Sequence, residues 1–139
     1  MPRHTRRKAW FVLCLVCIAS LVVSCADFAV TSPAPVTYAG PDDLLLRMAG
    51  GGIHCVAANP ARRATQDGGV SVVCVTGRNV LIVTTYPSAA ERAESLQQAA
   101  AVLDQPVDVL VGRNWTVSCR AAGDCDRLEA VLGGTILLI

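Results

Sequence analysis

Two apolar, β-branched runs dominate the middle of the chain, Val70–Thr76 and residues 80–86, with Gly77-Arg78-Asn79 between them supplying turn chemistry. This pattern predicts a β-hairpin. Both faces of its first strand are largely apolar, so that strand is expected to be central and covered on two sides, or covered by protein on one side and by a partner on the other. Residues 88–103 predict the longest helix. Ser88 and Glu91 have capping-box spacing, and Ala89, Ala93, Leu96, Ala100 and Leu103 recur every three or four residues as one apolar stripe. Pro106 prevents its continuation.

The flanking segments are shorter. Asp42 and Asp43 precede Leu44, Leu45, Leu46 and Met48, a helix start that Gly50-Gly51-Gly52 ends. Residues 53–57 predict a strand and the polar residues 59–69 an exposed loop. Residues 107–111 predict another strand, which Gly112 bends or bulges before residues 115–118. Asp124 is expected to cap a short helix with Cys125, Leu128 and Leu132 on one face, stopped by Gly133-Gly134. The apolar residues 135–139 predict a last strand paired inside the sheet, because an uncovered apolar terminus is adhesive. The order implies one small α+β domain: a mixed sheet of three to five strands with helices mainly on one face. Residues 80–86, the long helix and residues 107–111 are expected to form a right-handed parallel crossover.

The amino-terminal part has a different pattern. Arg3, Arg6, Arg7 and Lys8 precede an apolar run over residues 9–23, which is shorter than the roughly 20 residues of a spanning helix. With Leu21-Val22-Val23-Ser24-Cys25, this resembles a bacterial lipoprotein signal peptide ending in a lipobox. The resemblance implies cleavage before Cys25 and diacylglycerol on its sulfur. Residues 1–24 would then be the signal, 25–41 a lipid-anchored flexible tether carrying Pro33, Pro35 and Pro41, and 42–139 the domain, on the outer face of the cytoplasmic membrane. Two alternatives stay open. Ser24-Cys25-Ala26 also suits ordinary signal peptidase cutting after Ala26, giving a secreted protein, and apolar character through Phe28 to Val30 suits a retained anchor. Every basic residue after Lys8 is arginine, the usage of a high-GC genome. With the lipobox, the chain resembles small uncharacterised actinobacterial envelope lipoproteins, including prophage-borne ones. Only lipidation at Cys25 carries over from that resemblance.

Charge and cysteine usage narrow the function. Four of the 12 basic residues lie before the apolar run, so the remainder carries more acidic than basic side chains and has no basic stripe to hold nucleic acid. Beyond Cys14 and Cys17 in the apolar run and Cys25, four cysteines remain: Cys55, Cys74, Cys119 and Cys125. An even set in an exported domain predicts two disulfides, with three possible connectivities. Cys55–Cys74 is favoured because the two lie on strands expected to be neighbours. Cys119–Cys125 is favoured because the two flank one turn.

No residue set predicts catalysis, a metal or a cofactor. His54 and Cys55 are adjacent and would point to opposite faces of a strand, so they do not form a nucleophile pair. Asp104, Asp108, Asp124 and Asp126 lack acid/base spacing or an oxygen-rich calcium loop. The glycine runs lack the phosphate-loop pattern. Arg113 and Trp115, in Gly112-Arg113-Asn114-Trp115, form a candidate interface, the alternative being that Trp115 packs over the sheet. The expected function is a non-enzymatic, extracytoplasmic binding module for a protein or cell-wall partner. The alternatives are a prophage-encoded superinfection-exclusion lipoprotein and a secreted thiol/disulfide or other small enzyme.

Overall fold

The computed structural model describes residues 36–56, 62–77, 79–121 and 123–139, which form three helices and one six-stranded sheet. In chain order these are α1 (Pro41–Gly50), β1 (Arg63–Ala64), β2 (Val70–Thr76), β3 (Asn79–Thr85), α2 (Ala89–Val102), β4 (Asp108–Val111), β5 (Trp115–Cys119), α3 (Asp124–Leu132) and β6 (Thr135–Leu138). The sheet order is β1-β2-β3-β5-β4-β6, and every pairing is antiparallel. The expected α+β domain is present, with six strands rather than three to five and no parallel pair.

The crossover from β3 through α2 to β4 is split by another strand. Strands β3 and β4 are both antiparallel to β5, so they run in the same direction, but β5 lies between them. The cause is at Gly112. Its N–H donates to the Trp115 carbonyl at 2.9 Å, closing a tight reversal rather than a bulge. The chain therefore turns back on itself, and β5 fills the slot beside β3. Strand β6 pairs only with β4 and ends as an edge, not inside the sheet. Residues 53–56 are not a strand. They run beside β2 with one backbone bond, from the Val56 N–H to the Val75 carbonyl at 2.7 Å. Conversely, β1 forms within the expected loop and pairs through Arg63 with Ser71 and Ala64 with Val70.

The main core lies on one face of the sheet. Val83, Val117 and Leu110 are cross-strand neighbours there, and Leu81 and Cys119 form the next row. Helix α1 supplies Leu44 and Met48, and α3 supplies Cys125, Leu128 and Leu132. In both helices the buried positions recur every three or four residues, as a face on a 3.6-residue period requires. Pro41 opens α1 at a position where its missing N–H costs nothing. Gly123, at φ +82°, is the N-cap of α3, so Asp124 is the first helical residue rather than the cap.

The other face is polar at its centre, and this redirects α2. Thr84 and Thr116 are buried there, and the Tyr86 hydroxyl lies 3.2 Å from the Ser95 hydroxyl of α2 and 3.5 Å from that of Thr116. Buried hydroxyls need partners, so α2 turns Arg92, Ser95, Leu96 and Ala99 inward. The predicted alanine stripe stays exposed apart from Leu96, and Leu103 is 42% exposed. No residue of α2 is buried. Its start follows expectation in part. Ser88 accepts from the Glu91 N–H at 3.2 Å, while the Glu91 carboxylate accepts from the Ser88 hydroxyl at 2.5 Å. Because α2 covers this face incompletely, Val73 of β2 is 44% exposed, so the described residues cover β2 fully on one side only.

Glycine replacements test the packing. A Cβ on Gly112 would lie 1.9 Å from Trp115 Cε2, whereas one on Gly50 would meet nothing within 4 Å. Gly112→Ala is expected to lower stability by about 3 kcal/mol through overpacking. Gly50→Ala should be neutral or stabilising by up to about 1 kcal/mol. Urea unfolding of the two variants beside the wild type measures the contrast.

Candidate functional site

The two disulfides join Cys55 to Cys74 and Cys119 to Cys125, with Cα separations of 5.1 and 5.7 Å. The first ties the segment after α1 to the middle of β2. The second ties the end of β5 to the first turn of α3. Cys74, Cys119 and Cys125 are buried in the core cluster, and Cys55 packs against it. In the chain-entropy model, loops of 19 and 6 residues contribute about 3 and about 2 kcal/mol. All four of these cysteines are paired in disulfides. Cys25 lies outside the described residues.

Trp115 is not a surface anchor. It is 1% exposed, and its indole N–H donates to the Val36 carbonyl at 3.0 Å. Tyr38 meets the ring edge-on, with centroids 5.9 Å apart. Gly112 lies against the indole, and a Cβ on Gly134, itself at φ +99°, would come within 3.2 Å of it. A bulky ring beside two glycines on a tight reversal is more stable inside the fold than on a wet interface. Arg113, its neighbour in the expected interface, is exposed.

Asn114 does the positioning that sequence reasoning overlooked. Its carboxamide accepts from the Tyr38 N–H at 3.0 Å and donates to the carbonyls of Tyr38 at 2.8 Å and Tyr86 at 3.1 Å. The Tyr86 N–H in turn donates to the Asn114 carbonyl at 2.8 Å. Residues 36–40, expected in a flexible tether, are thereby held against the domain. Burial pushes the Tyr38 phenol above its ordinary pKa, and the Arg47 charge offsets part of that rise. The only sequence signal for these contacts was the small polar residue at a tight reversal.

Two concave regions flank His54. One, of about 340 Å³, is lined by His54, Thr76, Asn79, Asp124 and Arg127 with apolar Ile53, Leu81 and Leu128 behind them. Asn79 donates to Asp124 Oδ1 at 3.0 Å, and the buried Oδ2 has no partner among the described residues. A carboxylate oxygen, an imidazole and a guanidinium can hydrogen-bond a small polar group there. The second, of about 420 Å³, is a more apolar groove between α1 and β2, with Leu45, Leu46, Ala49, Val72 and Val73 beside Asp42, His54 and Cys55. Arg62 pairs with Asp42 at its rim.

The acidic residues do not converge. Asp104 and Asp126 are exposed, Asp108 is half-buried on β4, and Asp124 is held by Asn79. Among the described residues, no group of three or more His, Cys, Asp or Glu side chains could hold a metal ion, and no helix is long and apolar enough to cross a membrane. Comparisons with protein-family models, with curated proteins and with solved structures find no match.

Replacing the two residues of the expected interface separates their roles. Trp115→Ala should cost about 3–5 kcal/mol, the range for a large buried aromatic. Arg113→Ala should stay within about 0.5 kcal/mol of wild type, as an exposed substitution does. Denaturant midpoints at constant slope measure both.

Proposed function

We infer that the chain is a non-enzymatic cell-envelope lipoprotein, held by a lipid on Cys25 at the outer face of the cytoplasmic membrane, whose domain binds a protein or cell-wall partner. The observation that carries this reading is the pairing of all four cysteines beyond Cys25 in two disulfides. Disulfides persist where the surroundings are oxidising. The Cys119–Cys125 spacing is not that of a Cys-x-x-Cys redox motif, which supports a structural bridge.

Two further features fit a binding role. The cavity beside His54 is lined by polar side chains including Arg127, Asn79 and Thr76, groups that can orient a polar ligand. The lipobox pattern at residues 21–25 supplies the anchor, and such a domain acts by what it holds near the membrane.

Intact mass of the membrane-extracted protein, wild type beside Cys25→Ser, tests the anchor. A mass beginning at Cys25 with a lipid increment, lost in the variant, is expected. A lipid-free mass beginning at Asp27 would overturn anchoring and make the chain a secreted domain. Thiol titration of the native protein tests the non-enzymatic assignment. No reactive thiol among Cys55, Cys74, Cys119 and Cys125 is expected, and a readily reduced Cys119–Cys125 bridge would favour a redox enzyme.

A further inference from the structure

The geometry points to β6 as a self-pairing edge, through which two copies of this chain join their sheets about a two-fold axis. The register of β6 against β4 decides which backbone groups are free. The Val107 N–H donates to the Ile139 carbonyl at 2.9 Å, and the Ile139 N–H donates back to the Val107 carbonyl at 3.1 Å. In an antiparallel ladder such mutually bonded pairs alternate with non-bonded ones. Val109 with Leu137 and Val111 with Thr135 are therefore the bonded pairs, and Asp108 with Leu138 and Leu110 with Ile136 are the non-bonded ones. Ile136 and Leu138 thus direct both their N–H and C=O groups away from β4. No described strand pairs on that side.

The two edges of the sheet differ in kind. At the β1 edge the strand has two residues, both exposed, one of them Arg63, and the adjacent Arg62 pairs with Asp42. Short length and charge are devices that discourage edge pairing. Strand β6 has four residues, Thr-Ile-Leu-Leu, with no charge, proline or bulge, and Leu137 and Leu138 are 41% and 70% exposed. An extended segment with apolar side chains on both faces is what such an edge accepts, and β6 is itself such a segment.

Self-pairing meets each requirement at once. In a two-fold antiparallel arrangement, Ile136 stands opposite Leu138 of the second copy, and Leu138 opposite its Ile136. The outward groups of both residues are then satisfied in each copy. Leu137 falls on the axis opposite its own mate as a non-bonded pair, where side chains approach most closely. The exposed Leu138 covers the partner's Ile136. Because β6 is uncharged, the copies do not repel along the seam. An isologous contact also closes on itself, whereas β6 against β1 would build an open, head-to-tail array on two residues. A four-residue seam is small beside the roughly 800 Å² per partner of a standard stable interface, so the pairing is weak and concentration-dependent.

Cysteine crosslinking of the full chain in an exporting host tests the register, read on non-reducing gels beside wild type. Leu137→Cys is expected to give a covalent dimer, since non-bonded antiparallel Cα atoms lie about 4.5 Å apart, within disulfide reach. Thr135→Cys should give none, because its mate is four residues, about 13 Å, away along the seam. Adding Leu138→Pro to Leu137→Cys removes only an outward N–H and leaves the β4 ladder intact. It should return the dimer band to the wild-type background while the two native disulfides still form. The proposal is overturned if Leu137→Cys stays monomeric, if Thr135→Cys crosslinks equally, or if Leu138→Pro leaves the dimer unchanged. A crosslinked band of another mass would overturn it too, assigning the edge to a different protein.

Discussion

The fold depends on the packing of one indole. Trp115 opens β5, and its ring lies against Gly112 at the β4–β5 reversal and Gly134 at the entry to β6. Its N–H fixes the carbonyl of Val36, and Tyr38 closes over its edge. One side chain therefore joins three stretches of chain, residues 36–38, 112–115 and 134. The two glycines are required for that approach, since a Cβ at either position meets the ring or the backbone at less than a contact distance. Asn114 completes the arrangement by saturating the backbone of Tyr38 and the carbonyl of Tyr86. An unpaired group at this depth would cost about 1–3 kcal/mol.

This central lock explains why the two faces of the sheet are built differently. On the Trp115 face, α1 and α3 bury leucines and a methionine against valines, and the two disulfides hold the segments that such a small core would hold weakly. On the opposite face the sheet presents Thr84, which pairs with Ser71, and Thr116, which Tyr86 reaches from the start of the crossover. Helix α2 meets hydroxyls there, so it contributes Ser95 and Arg92, whose guanidinium donates to the Gly112 carbonyl. The result is a well-packed layer on one side and a lightly attached helix on the other.

These features bear on function through what they leave available. The four described cysteines are paired, and Trp115 is inside the fold. The described surface includes a polar cavity beside His54, a more apolar groove against β2, and the uncharged edge of β6. They present hydrogen-bonding groups around a concavity, apolar area, and free backbone groups in strand geometry.

Local pattern by itself determined most of the element types, though not the irregular segment 53–56 or the short β1. The β-branched runs of β2 and β3, the Ser88 cap, the periodic leucines of α3 and the glycine stops are each dictated by neighbours within a few residues, and all were legible in the chain. The closeness of Cys119 to Cys125 was legible for the same reason. Tertiary structure alone decided the rest. It placed β5 between β3 and β4, because the reversal at Gly112 is stabilised by a ring three residues on and by residues 36–38. It turned the alanine stripe of α2 outward, because Ser95 meets the Tyr86 hydroxyl and Arg92 the Gly112 carbonyl, both set by distant parts of the chain. It left β6 at an edge, because strand order is set by which pairings bury the most surface together. Periodicity records only which face of an element is apolar. Which surface meets that face, and whether it brings methyl groups or hydroxyls, depends on residues distant in sequence.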